Sequence, residues 1–177
     1  KQNSQIVNGY IYYPLKSKVF DKILLKLRNR LGGKSITIKE TIQRIIELKE
    51  NSRKAIIAFV SDQAPLWSGK YHWSNFFQWE TPVVTGAEQI GKHVDALIFY
   101  AEMERIKRGY YRCKISRMID DIQQYADYEV TDLFMSKLEQ SIHKAPSYWL
   151  WTHNRWIRTR EEIMVWYKRI IHKKENV

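Results

Sequence analysis

The sequence predicts an α/β fold, a mixed and largely covered sheet with helices packed on its faces. Three observations carry that reading. Apolar residues recur at helical spacing from Lys18 to Leu31, at Phe20, Ile23, Leu24, Leu27 and Leu31. The continuous apolar run Ala55-Ile-Ile-Ala-Phe-Val60 reads as a strand buried on both faces. Two aromatic and β-branched segments, Ala96 to Ile106 and Tyr110 to Met118, flank Lys107-Arg108-Gly109 as a hairpin. Strands mixed with helices in this way argue against an all-helical bundle.

The elements follow in order. Gly9-Tyr-Ile-Tyr-Tyr-Pro14 is a short strand that ends at its proline. The Lys18 to Leu31 helix stops at Gly32-Gly33, with Arg28 and Arg30 in the last turn, where the helix dipole favours cations. A second helix is predicted from Ile38 to Lys49. After the apolar strand comes Ser61-Asp62-Gln63, at the carboxyl end where open α/β sheets gather ligands. An aromatic loop runs from Pro65 to Trp79, and helices are predicted at Thr85 to Val94 and Thr131 to Lys144. A charged amphipathic segment, Arg158 to Lys174, closes the chain. There is no internal repeat.

At 177 residues the chain suits one domain, and its 7 glycines and 4 prolines are too few for a low-complexity sequence. One cysteine, Cys113, excludes an internal disulfide and a four-thiolate zinc site, and it reads as buried and inert. No spacing of metal ligands is present. No apolar run reaches the roughly 18 residues of a membrane span, and neither a signal peptide nor an initiator Met is seen, so the chain reads as starting inside a longer protein. The net charge is +11, and residues 1–34 hold eight basic groups against one acid, Asp21. Such a chain attracts an anionic partner, whether nucleic acid, an acidic protein or an anionic membrane.

Val60-Ser-Asp-Gln-Ala-Pro65, then Trp73 and Phe76-Phe77, then Ala145-Pro-Ser-Tyr-Trp-Leu-Trp-Thr-His-Asn-Arg-Trp156 form an ordered set. Tyr13-Pro14-Leu15, Phe20-Asp21 and Arg28-x-Arg30 precede it. Together they resemble the bacterial lipid A biosynthesis acyltransferases, the late lauroyl/myristoyl transferases related to the glycerolipid acyltransferases. The resemblance runs from about Gly9 to Arg160. It implies a glycerolipid-acyltransferase-like fold and transfer of a fatty acyl chain from acyl carrier protein to a hydroxyl of a lipid A precursor or related lipid. It also implies work at the cytoplasmic face of the bacterial inner membrane, with acyl carrier protein, a lipid acceptor and an anionic membrane surface as partners. No cofactor beyond the acyl carrier protein thioester is implied.

The family's catalytic pair is His-x-x-x-x-Asp/Glu, a base held by a carboxylate. It is absent here: five residues after His72, His93, His143, His153 and His172 stand Phe77, Ile98, Tyr148, Arg158 and Val177. Residues 1–177 therefore read as the C-terminal part of an acyltransferase domain without its membrane anchor and catalytic segment, inactive alone and holding no catalytic residue.

The resemblance assigns substrate binding to Arg28 and Arg30, whose guanidinium groups suit a phosphate. The plain alternative is a pair of solvated helix-end cations. Asp62 stands where the family keeps an acidic residue, which implies that it positions acceptor hydroxyls or organises the surroundings of the catalytic histidine. The plain alternative is a local turn before Pro65, which Gln63, also assigned to substrate binding, would share. His153 and Arg155 match the family's terminal Trp-x-His-x-Arg signature, and a histidine among aromatics is more often a packed core group. The aromatic loop serves as core, as an acyl-chain wall or as an interfacial belt. Glu88 reads as a surface residue of its helix. A rival of another class is a basic module that stacks single-stranded nucleic acid on its aromatics, but that reading leaves the ordered signature unexplained and no nucleic acid is expected.

Overall fold

The computed structural model describes residues 6–65, 71–157 and 159–165. Helices alternate with strands, so the α/β class holds, and the chain divides into two compact units, Lys1–Val60 and Ser61–Val177. Three separate sheets are present among the described residues.

The first unit is built on β1 (Val7–Tyr12), the central strand of a parallel sheet between β2 (Lys34–Thr37) and β3 (Ala55–Ala58). Helix α1 (Lys18–Asn29) links β1 to β2, and α2 (Thr41–Glu50) links β2 to β3. Gly9 is buried at the middle of β1 because a Cβ there would lie 2.7 Å from Ile57 Cδ1 and 2.9 Å from Ile36 Cδ1. Its absence lets the two flanking isoleucines close over the strand. On the alternate face of β1, Tyr10 donates its hydroxyl to Asn29 Oδ1 at 3.1 Å, and Asn29 also accepts from Ser35 N–H and Oγ. A polar side of α1 thus meets the sheet. Its apolar stripe, Phe20, Ile23 and Leu27, is exposed. α2 does the reverse and buries Ile45 and Leu48.

β3 corrects the expectation of a strand covered on both faces. Among the described residues it is an edge strand with a single neighbour, and Ile56 is 63% exposed. An unbroken apolar run reports affinity for a neighbour on each face, not the presence of one.

In the second unit β4 (Tyr71–Phe76) and β5 (Trp79–Val84) form an antiparallel hairpin where the sequence predicts an aromatic loop. Phe77 and Gln78 make its two-residue turn, both at positive φ (51° and 64°). Trp67 lies outside the described residues. Phe76 and Val83 of this hairpin join Met135, Leu138 and Ile142 of α4 (Glu129–Lys144) in the larger core, with Phe77, Phe134, Trp149 and Trp156 packed around them. Burying such aliphatic and aromatic side chains contributes about 1.5–3 kcal/mol each. A smaller core joins Ile119, Ile122 and Val130. Of the closing amphipathic segment, a helix is described over residues 160–165 only.

α3 (Gly86–Val94) carries Glu88, and here the expected surface residue is 4% exposed. Its carboxylate accepts from Tyr128 N–H (2.6 Å), Thr131 N–H (2.8 Å) and Thr131 Oγ1 (2.6 Å), and ion-pairs with Lys92 at 3.3 Å. Glu88 therefore caps the N-terminus of α4 from another helix, filling donors that α4 leaves open. Its own sequence neighbours give no sign of this.

The predicted second hairpin forms from β6 (Phe99–Lys107) and β7 (Tyr110–Arg117), turning at Gly109, φ 80°. Its polar face meets α4: Tyr100 pairs with Ser141 at 3.0 Å, and Lys144 Nζ donates to Glu102 Oε1 at 3.0 Å. Cys113, expected in the interior, is exposed because it lies on the other face. The Lys144 hydrogen bond, helped by the Ser141 hydroxyl, holds Glu102 below the ordinary carboxylate value. A depressed carboxylate stabilises the fold above its unfolded value and loses that contribution as pH falls through the folded one. Lys144→Met is thus expected to cost up to about 1 kcal/mol at neutral pH. The variant and the parent should converge in urea midpoint as the pH is taken into the acid range, and a gap unchanged by acid would show that the pair contributes nothing.

Candidate substrate-binding site

The six residues assigned to substrate binding fall in both units. Arg28 sits in the last turn of α1, exposed, with its guanidinium carbon 5.5 Å from the Tyr12 ring centroid. That spacing is a cation–π contact, and it orients the side chain without closing it to solvent. Burial, with the Asp21 and Glu40 carboxylates, pushes the Tyr12 hydroxyl above its ordinary value, so the ring is a neutral platform. Arg30 follows at the helix C-cap, its backbone N–H on Leu27 O. Residues two apart on a helix point to different sides, so the two arginines offer separate cations rather than one fork.

Asp62, Gln63, His153 and Arg155 belong to the second unit, and the fold brings three of them into one region. The Asp62 to Pro65 segment is pinned by Ala64 N–H, which donates to His153 Nε2 at 3.1 Å across 89 residues of chain. His153 thereby acts as an acceptor for backbone, with the proton on its other ring nitrogen. Gln63 is exposed.

Arg155 is 1% exposed, the largest fully buried side chain among the described residues. Its Nη1 donates to Pro82 O of β5 at 2.8 Å, while Nε and Nη2 have no hydrogen-bond partner among the described residues. Asp62 Oδ1 is also buried and has no hydrogen-bond partner among the described residues. Burial pulls the guanidinium well below its ordinary value, to about 10, against the opposing pull of the Asp62 carboxylate. The two charges attract through a low-dielectric region without a direct hydrogen bond. Next to Arg155, Trp156 Nε1 donates to Thr81 Oγ1 at 2.9 Å, so the terminal signature is stitched along β5.

One pairing escaped the sequence. His72 on β4 meets Asp132 on α4 at 3.2 Å, its ring stacked on Tyr128 at 4.7 Å and 5°. The partners lie 60 residues apart, so no local spacing reveals them. A carboxylate that orients an imidazole is the arrangement of a general base, but here one ring face is closed by Tyr128, and the pair ties β4 to α4.

No group of three or more His, Cys, Asp or Glu that could hold a metal is found among the described residues. No described helix is long and apolar enough to cross a membrane.

The family model for bacterial lipid A biosynthesis acyltransferase matches residues 3–158. No curated protein matches the chain. The matched span takes in β1, the α1 arginines, the Asp62 segment and the His153–Arg155 signature, most of the protein, and the chain accordingly belongs to the bacterial lipid A biosynthesis acyltransferase family.

Proposed function

We propose that this protein is part of a late acyltransferase that takes a fatty acyl chain from acyl carrier protein and places it on a hydroxyl of a lipid A precursor or a related lipid. The observation that carries the proposal is the family match across residues 3–158, which supports acyl transfer to a lipid in general. In the proposed reaction the acceptor oxygen attacks the thioester carbonyl, the new C–O bond forms as the C–S bond breaks, and the carrier leaves as its thiol. The hydroxyl proton passes to a general base. None of the histidines in residues 1–177 has the His-x-x-x-x-acid spacing, so this chain by itself is proposed to be silent.

What this chain contributes is charge and acceptor recognition. Lys1–Val60 holds thirteen Lys and Arg against four Asp and Glu, a field suited to an acidic carrier and to anionic headgroups at the cytoplasmic face of the inner membrane. A cleft in the same unit is lined by Lys34 and Arg53 together with Arg44 and Glu47, which pair with each other at 2.9 Å. Arg28 is proposed to take a phosphate of the acceptor or of the carrier's phosphopantetheine, and Asp62 to position acceptor hydroxyls.

Deleting the gene in its source organism and weighing lipid A and aminolipids by mass spectrometry tests this. Lipid A short of one acyl chain is the expected result, and the lost mass gives the chain length. Loss of an acylated aminolipid would keep the chemistry and move the acceptor, whereas an unchanged lipid profile would overturn the reading. In the full-length protein, Arg28→Ala and Asp62→Ala are each expected to lower turnover about ten- to a hundredfold, the scale of one lost charge-assisted contact. Full turnover in both, at matched expression, would reduce Arg28 to a helix-end cation and Asp62 to a turn residue.

A further inference from the structure

The β6–β7 hairpin is patterned inside out. Along β6, Tyr100, Glu102 and Glu104 alternate with Phe99, Ala101 and Met103, and the register places Ser116, Lys114 and Arg112 beside the first set. Arg117, Ile115 and Cys113 lie beside the second, and the Arg105–Tyr111 pair continues that face toward the turn. A half-buried hairpin ordinarily turns its apolar set to the protein. Here the polar set makes the contacts with α4, through Tyr100, Glu102, Ser141 and Lys144. The apolar set is open: Met103 is 64% exposed, Tyr111 64% and Ile115 68%, with Phe99 exposed beside them. A contiguous apolar face of this kind marks an interaction surface.

Charge selects the occupant. Residues 99–117 hold six Lys and Arg and two acids, and both acids, Glu102 and Glu104, are on the polar face. The apolar face and the Lys107-Arg108 tip hold none. A second copy docking face to face would bring like-charged tips and edges together, whereas anionic headgroups complement them. Aromatic, thioether and branched side chains flanked by cations are the composition of a segment that settles at a bilayer interface.

We propose that the outward face of this hairpin, with Phe99, Met103, Tyr111 and Ile115, docks on an anionic phospholipid bilayer. It rests on the membrane part of the reading above and names the surface that makes the contact.

Cys113 gives a direct test, being the sole cysteine, exposed and on that face. An environment-sensitive fluorophore on Cys113 should shift to the blue with vesicles of phosphatidylcholine and phosphatidylglycerol, and less with phosphatidylcholine alone. The same label on Arg112→Cys in a Cys113→Ser background reports the polar face and should not shift. The triple variant Met103→Ser, Tyr111→Ser, Ile115→Ser should lose about tenfold or more in vesicle affinity by sedimentation. These side chains are outside both cores, so its circular dichroism and melting should match the parent. Sedimentation with vesicles but no Cys113 shift would sink the hairpin and leave membrane association standing through another surface. No sedimentation at all would sink both. A shift that needs protein concentration rather than lipid, and that accompanies dimer formation, would give the face to a second copy and overturn the proposal.

Discussion

Glu88→Ala is expected to lower the unfolding free energy by about 3–5 kcal/mol, the range for stripping one partner from a buried charged network. Three donors lose their acceptor at once: Tyr128 N–H, Thr131 N–H and Thr131 Oγ1. Each buried orphan costs about 1–3 kcal/mol. The first turn of α4 also loses a negative charge where its dipole favours one. Tyr128, the residue before α4, stands at φ 71°, a conformation that a bulky side chain holds only when its surroundings enforce it. Glu88 is one of those surroundings. Lys92 keeps Asp127 at 2.9 Å, so its charge is not stranded. Glu88→Gln keeps the shape and one acceptor oxygen and should cost less, about 1–3 kcal/mol. Urea midpoints with an unchanged slope measure both, and an Ala variant within about 0.5 kcal/mol of the parent, the range of an ordinary surface substitution, would return Glu88 to the surface role that the sequence assigns it.

That misreading shows where sequence patterns stop. Glu88 sits on an amphipathic helix at a position that looks solvated, and its importance comes from a helix start forty residues on. The two hairpins make the same contrast. β6–β7 was legible because Gly109 takes the positive φ that a glycine accepts freely. β4–β5 was not, since its turn is Phe77-Gln78, two residues that ordinarily avoid positive φ. The turn is held instead by distant groups, Glu139 accepting from Phe77 N–H at 3.1 Å and the Phe77 ring lying against Phe76 and His143. Likewise the apolar run of β3 was legible as a strand but not as an edge, because order within a sheet is set by the crossovers around it. At the site, the ordered motifs identified the family and singled out Asp62, His153 and Arg155. What they could not give was the junction of the Asp62 segment with the terminal signature, made by a hydrogen bond across 89 residues.

That junction sets the last expectation, a series at Arg155. Burial pulls the Arg155 guanidinium down to about 10 even against the attraction of Asp62, so keeping it charged costs a few kcal/mol, at about 1.4 kcal/mol per pKa unit. One strong hydrogen bond, to Pro82 O at 2.8 Å, offsets part of that cost. Arg155→Ala removes that bond and leaves a large void beside Pro82, with an expected loss of about 3–5 kcal/mol. Arg155→Met fills most of that void and has no charge to desolvate, but it leaves Pro82 O without its donor and Asp62 without its counter-charge, so it should cost less than Ala, about 1–3 kcal/mol. The pH sign follows from a folded value that lies below the unfolded one: the charge penalty is fully present below about 10 and is relieved as pH rises above it. Relative to Met, the parent should therefore gain as pH passes 10. A double-mutant cycle with Asp62→Asn isolates the charge pair, with a coupling of about 0.5–3 kcal/mol expected for neighbours that share one buried region. A coupling near zero would mean that the attraction between Arg155 and Asp62 contributes nothing and that Asp62 is free to serve the acceptor unassisted, whereas Met as damaging as Ala would mean that the hydrogen bond to Pro82 O, and not the volume of the side chain, is what Arg155 supplies.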